Sequence, residues 1–318
     1  MENGEARIEN GGAWSDHPIP PPPILDLDSS PLTRVIEPQL STDPLFIVGW
    51  LWKGARNIYG PEHANTWARM IHRNLTIPHR FVIFTDFDES EFCRLIEPLP
   101  LWDDWRNLVN PAWGVNHPTC YVRLKAFSRE FGAVLSPRSL APIRFVSIDL
   151  DCVVLGNLDS LFSRDEDFLI YHRPLTMTPF DTINCYQASM WMMTAGARAS
   201  VWEQFRGAES VHKARQYLGT DQGWMRHILG PDEPGWDIQD GVYGWPQLRD
   251  NYNYRNSPPP GAKIVFFYGK QKPWEIAPID QPICQHCGHD VQIKPPYEIT
   301  RNKRGAEDAF QWVPRNYR

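Results

Sequence analysis

Apolar positions are absent at any regular period over residues 1–44, where Pro20 to Pro23 stand in a row and Pro31, Pro38 and Pro44 follow. Such a segment favours extended polyproline geometry and carries too little apolar surface to order itself, so it reads as a tail. The pattern changes at Leu45. LFIVGWLW, Leu45 to Trp52, reads as a buried strand. Glu62 to Leu75 places Trp67, Met70, Ile71 and Leu75 on one helical face, with Pro61 just before it. RFVIFTD, Arg80 to Asp86, is a second apolar run that suits a buried parallel strand. A helix is predicted over Tyr121 to Phe131, then IRFVSIDLD, Ile143 to Asp151, as the clearest strand of the chain. Strand, helix, strand, helix, strand predicts an α/β fold with a mostly parallel central sheet flanked by helices.

Beyond Leu158 the alternation loosens. NLDSLF predicts a short helix, DFLIYH and SMWMMTAG predict strands, and helical segments follow at Val201 to Arg206 and Asp221 to Leu229. KIVFFYG, Lys263 to Gly269, is the last predicted strand before the turn-rich QKPW. No internal repeat and no strong linker divides the folded part. The organisation expected is a tail at 1–44, one domain at 45–278, and an extension at 279–318 packed on it or partly flexible.

Composition narrows the class. Over 318 residues, 32 Lys plus Arg face 38 Asp plus Glu, a formal charge of −6 that argues against nucleic-acid binding through bulk positive charge. A hydrophobic fraction of 42% excludes wholesale disorder. Six cysteines are too sparse for a disulfide scaffold, so reduced thiols are expected. The N-terminal MENGEARIENGG has neither the basic nor the apolar region of a secretory signal. The longest apolar stretch is too short to span a bilayer. A cytoplasmic location is the expectation.

The chemistry is concentrated in SIDLDCVVLGNLDSLF, Ser147 to Phe162, where a buried strand runs into Asp149 and Asp151. An isolated D-x-D is common in an acidic chain as a pair of solvated turn residues. Two carboxylates at the tip of a core strand need compensation, and a divalent cation such as Mg2+ or Mn2+ supplies it and can carry a substrate's phosphates.

IDLDCVVLGNLDSLF resembles the D-x-D strand of GT-A glycosyltransferases, particularly the glycogenin-like and lipopolysaccharide-galactosyltransferase-like group, glycosyltransferase family 8. Three more phrases fall in that family's order. YVRLKAF, Tyr121 to Phe127, resembles the helix whose cation lies near the donor, with Arg123 at the usual lysine. TDQGWM, Thr220 to Met225, resembles the Asp-Gln segment near the transferred sugar. YGKQKPW, Tyr268 to Trp274, resembles the Gly-x-x-Lys-Pro-Trp ending whose lysine contacts the diphosphate. The resemblance implies a GT-A-type domain that moves a sugar from a nucleotide-sugar donor, by the family's habit a UDP-sugar, to a saccharide or other hydroxyl acceptor, with retention of stereochemistry. It implies Asp149 and Asp151 as holders of Mn2+ or Mg2+, and Arg123 and Lys272 as added positive charge. Gly269 would permit close approach of backbone to phosphate. Trp52, Lys53, Tyr59 and Asp86 would lie on the nucleotide side, with an aromatic surface for the base. Asp221 and Gln222 would flank the transferred sugar, and Gln187, in Gln187-Ala188-Ser189, stands at the family's acceptor-positioning Asn-x-Gly phrase. Some of the 14 tryptophans, Trp52, Trp224 and Trp274, fall near these expected contacts.

The pattern also departs from the family. Its third metal ligand, a histidine just before the glycine, is replaced by Phe266, Phe267 and Tyr268. Weakened metal affinity, or a transferase-like protein retained for binding a carbohydrate or a partner, follows as an alternative. Metal-dependent nucleotidyl transfer is a further one, against which stands the lack of a G-x-G-x-x-G or P-loop phrase in GWLWKGARNIYG. PICQHCGHD holds Cys284, His286, Cys287 and His289, a half-site that could bind zinc only by a tight local wrap; one of its histidines could instead replace the missing ligand.

Overall fold

Every residue of Leu45–Leu51 is buried, which requires a strand covered on both faces. Its side chains divide by alternation: Leu45, Ile47 and Leu51 enter one core, Phe46, Val48 and Trp50 the other. This strand, β1, lies near the middle of the main sheet of a computed structural model that describes residues 44–54, 58–112, 119–174, 184–217, 219–254, 256–269, 271–276 and 312–317. All of them lie within one compact unit, Ser41–Arg318.

The other strands are β2 (His79–Thr85), β3 (Ile96–Pro100), β4 (Arg144–Ile148), β5 (Cys152–Val154), β6 (Phe168–His172), β7 (Tyr186–Thr194), β8 (Gly235–Trp236), β9 (Val242–Gly244) and β10 (Ile264–Phe266). A seven-stranded sheet has the order β3-β2-β1-β4-β7-β6-β8, and a three-stranded sheet the order β5-β10-β9. In the large sheet β3, β2, β1 and β4 run parallel, β7 runs antiparallel to β4 and β6, and β8 pairs parallel with β6. The expected α/β class with a mostly parallel central sheet flanked by helices is therefore the fold observed. The carboxyl ends of β1, β2 and β4 share one edge, where open α/β sheets take their ligands.

Helix Pro61–Asn74 opens on a proline and packs Ala64, Trp67, Ala68, Met70 and Ile71 into the core beside β1. Gly49 makes that close packing possible, since a Cβ there would lie 2.3 Å from Ile83 Cδ1 and 3.3 Å from Trp67. On the opposite face, Trp191 of β7 stacks on Phe127 at 4.7 Å and meets Phe145 edge-on at 5.3 Å.

Two predicted elements take a different form. Tyr121–Phe127 is a 3-10 helix followed by a separate short α-helix at Phe131–Leu135, not one helix over Tyr121 to Phe131. The predicted strand Ile143 to Asp151 ends at Ile148, and the chain crosses through Asp149, Leu150 and Asp151 into β5 of the second sheet. Ion-pairing carboxylates cannot sit between two apolar layers, so the strand stops where they begin. Alternation also misses β3, whose prolines at positions 98 and 100 fit only an edge strand. Of the extension at 279–318, helix Trp312–Asn316 packs Trp312 and Val313 into the first core, and Tyr317 follows them; residues 277–311 and 318, with the tail through residue 43, lie outside the described residues. So do Cys284, His286, Cys287 and His289 and with them the zinc expectation. The four described cysteines form no disulfide. No helix among the described residues is long and apolar enough to cross a membrane.

Trp191 is fully buried and joins the 3-10 helix to the sheet. Trp191→Ala is expected to cost about 3–5 kcal/mol, read as a lower urea midpoint at unchanged slope.

Candidate functional site

Asp149 and Asp151 occupy the crossover between the two sheets. The Asp149 N–H donates to the Ser189 carbonyl at 2.8 Å, a last tie to β7, while the Phe267 N–H donates to the Asp151 carbonyl at 2.7 Å and extends the β5–β10 ladder. Leu150 between them is buried in the core, so the two carboxylates stay on the outer side.

Each carboxylate has its own cation. The Arg123 guanidinium reaches Asp149 Oδ1 through Nη1 and Asp221 Oδ2 through Nε at 2.9 Å and Nη2 at 2.6 Å. Arg123 comes from the 3-10 helix and Asp221 from the first turn of helix Asp221–Leu229, so one planar fork ties two distant elements to the sheet end. Lys272 Nζ lies 2.5 Å from Asp151 Oδ2 and also donates to the Phe267 carbonyl at 3.1 Å. The Tyr59 hydroxyl donates to the same Asp151 Oδ2 at 3.0 Å. Burial pushes the Tyr59 hydroxyl well above its usual range, with the Asp151 and Asp149 charges adding to the effect, so it stays a donor. Burial likewise raises Asp149, against the pull of Arg123, and Asp151 raises it further. Three carboxylates and two cations leave one net negative charge in the cluster.

The other expected residues take varied places. Gly269 has φ +103°, a backbone conformation that favours glycine on its own account. Gln222 Oε1 accepts from the Ala188 N–H at 3.2 Å, which anchors helix Asp221–Leu229 to β7. Gln187 donates to Ser189 Oγ at 3.1 Å, and its Oε1 is buried with no hydrogen-bond partner among the described residues. Asp86 accepts from the Lys53 N–H at 2.9 Å and pairs with Arg106, while the Lys53 ammonium lies 5.0 Å from the Phe87 ring centre. Trp52 is half-buried against the second core. Trp224 is a core residue whose indole N–H donates to the Val201 carbonyl at 2.7 Å, so it is not a wall of the site. Trp274 supports the site from behind: its ring centre lies 4.0 Å from that of His63 and 5.3 Å from that of Tyr59.

Sequence reasoning missed His63 and Arg106, and it named Ser189 only within Gln187-Ala188-Ser189. Ser189 had a weak signal as the small polar residue that opens SMWMM, and its carbonyl accepts the Asp149 N–H at 2.8 Å. His63 gave none. It is buried at the start of its helix, where Nδ1 accepts from the Gly60 N–H at 2.8 Å. Burial lowers it to about 4. A surface groove of about 350 Å³ lined by Asp104, Trp105, Trp202 and Phe205 shares no residue with the carboxylate cluster.

Among the described residues no group of three His, Cys, Asp or Glu is placed to hold a metal ion. Asp149 and Asp151 by themselves fit a cation whose remaining positions fall to phosphate and water, the common arrangement for Mg2+. The Asp149 side chain is 27% accessible. Both donors to the Asp151 carboxylate among the described residues, Tyr59 and Lys272, meet the same oxygen, Oδ2.

The chain matches no protein-family profile and no curated sequence. Among solved structures it is similar to the galactosyltransferase LgtC in complex with donor and acceptor sugar analogues, at 14% identity over 72% of this chain and 89% of that one, TM-score 0.47. It is also similar to the glycosyltransferase GlyE of Streptococcus pneumoniae TIGR4, at 10% identity over 73% of this chain and 56% of that one, TM-score 0.46. The bifunctional glycosyltransferase WbbM follows at 13% over 74% and 47%, TM-score 0.42. Likenesses this distant leave the functional reading to the residues of the site.

Two outcomes are expected from this geometry. Arg123→Met strands the buried Asp221 beside Asp149 and should cost about 3–5 kcal/mol in chemical denaturation; Arg123→Lys, which keeps the charge without the fork, should cost less. For His63 the unfolded chain takes up its proton first as pH falls. Its contribution is therefore complete above about 6.5 and is lost toward about 4. Stability should drop by about 2 kcal/mol between pH 7 and pH 5 on this account. Urea unfolding at the two pH values should show that part of the slope gone in His63→Asn.

Proposed function

We propose that this chain is a glycosyltransferase that moves a sugar from a nucleotide-sugar donor, a UDP-sugar by resemblance, to a saccharide or other hydroxyl acceptor. One observation carries the reading: carboxylates from the β4–β5 crossover meet cations from two distant segments, Arg123 and Lys272, at the carboxyl edge of a parallel sheet. Breaking a glycosidic bond to a diphosphate leaves charge on the departing phosphate, and fixed cations in a recess stabilise it. Mn2+ or Mg2+ would be held by Asp149 and Asp151 and would supply further neutralisation of the leaving diphosphate. Arg123 holds Asp149 and Asp221 in place and contributes positive charge. Lys272 lies on the loop after β10 and faces the same recess. Asp221 stands beside Arg123 for the transferred sugar, with Gln222 next to it and Gln187 Oε1, which has no hydrogen-bond partner among the described residues, assigned to a hydroxyl. Trp52, Lys53 and Asp86, at the ends of β1 and β2, are assigned to the nucleotide. Tyr59 acts on the phosphate side, through Asp151.

A thermal-shift screen of nucleotide sugars with Mn2+ should find one donor that raises the midpoint, since a ligand that binds only the folded chain stabilises it. That donor should be hydrolysed slowly without acceptor, and Asp149→Asn or Asp151→Asn should slow this by about 10²-fold or more. A screen in which no donor binds would sink the transferase reading. Binding without any turnover would favour the alternative of a transferase-like carbohydrate-binding protein.

A further inference from the structure

The Lys272 ammonium and the expected divalent cation are both assigned to Asp151. The ammonium holds Asp151 Oδ2 at 2.5 Å, in a contact where Lys272 and Asp151 side chains are 7% and 8% accessible. The Phe267 carbonyl at 3.1 Å and the face of the Tyr59 ring, 5.5 Å from Nζ to its centre, also lie against the ammonium. Arg123, by contrast, takes Asp149 from the side of Asp221 and is pinned there by two bonds to Asp221. The two cations therefore differ: Arg123 is locked by a second carboxylate, whereas Lys272 has, among the described residues, a single charged partner and sits on a long flexible stem.

The geometry points to Lys272 as the resident counter-ion of Asp151 in the metal-free chain, displaced from that carboxylate by an incoming divalent cation and so freed toward the donor's diphosphate. A buried carboxylate cannot be left without a positive partner at little cost. Two cations of total charge three crowded onto Asp151 would repel each other strongly in a recess of low dielectric. Metal binding and ammonium release then form one exchange, in which the ammonium leaves with its proton and no covalent bond changes. The exchange itself needs only Lys272, Asp151 and the metal; its link to the diphosphate rests on the transferase reading.

Competition makes a prediction opposite in sign to that for a lysine that merely supports the site. Mn2+ alone is titrated into the nucleotide-free full chain, with free Mn2+ followed by electron paramagnetic resonance and folding checked by circular dichroism. Lys272→Met and Lys272→Gln are each expected to bind Mn2+ about tenfold more tightly than the natural chain. The gain should vanish when Asp151→Asn is added. Lys125→Met, which removes a surface lysine from Asp104, should leave Mn2+ affinity unchanged. A second readout needs no variant: acetylation of Lys272 by an amine-reactive ester, followed by mass spectrometry, should speed up severalfold when Mn2+ is added. Unchanged, weaker or absent Mn2+ binding in both Lys272 variants, or a Lys272 acetylation rate indifferent to Mn2+, overturns the exchange. A chain that shows the exchange but binds no nucleoside diphosphate, with UDP as the probe, upholds the exchange and overturns the transferase reading.

Discussion

Charge balance around one β-crossover governs the site. Asp149 and Asp151 lie where the main sheet ends and the small sheet begins, and neither could be held there without Arg123 and Lys272. The cost of a buried, unpaired carboxylate decides where β4 stops, which helix turns its cation inward, and how the loop after β10 folds. Arg123 performs the longest-range task, since its fork joins the sheet edge to helix Asp221–Leu229.

The small sheet is the device that delivers Lys272. Antiparallel pairing of β5 with β10 puts Cys152 opposite Phe266, and the Phe267 N–H continues the ladder onto Asp151. Lysine and aspartate 121 residues apart in sequence are thereby brought into contact within a few residues of a fixed register. Behind them, Tyr59, His63, Trp274 and Tyr317 form an aromatic wall, and Tyr317 reaches it from just after helix Trp312–Asn316. The charged cluster thus has an apolar backing, and the low local dielectric strengthens the charge contacts in it.

Strands such as Leu45–Leu51 and Phe168–His172 were legible because a strand buried on both faces must be apolar throughout. Asp149 and Asp151 were legible because polar residues rarely end such a run without a reason. Less regular pieces escaped. The 3-10 segment at Tyr121 has the apolar spacing of an α-helix, and periodicity cannot separate the two over seven residues. Edge strand β3 hides behind its prolines. His63 carries no signal, because its role depends on the Gly60 N–H and the Trp274 ring, and Trp274 is distant in sequence. Trp224 misled for the same reason: indole rings serve cores and binding walls alike, and only packing tells them apart.

The sequence by itself determined the α/β class, the order of its main elements and the acidic end of the central strand, because all three are written in local patterns of apolar and charged residues. Tertiary structure alone decided the partners. That Asp149 belongs to Arg123, Asp151 to Lys272 and Tyr59, and Gln222 to the β7 backbone depends on strand register and helix placement over long sequence separations. A charge announces that it needs a counter-charge, but which one reaches it is settled only when the chain closes on itself.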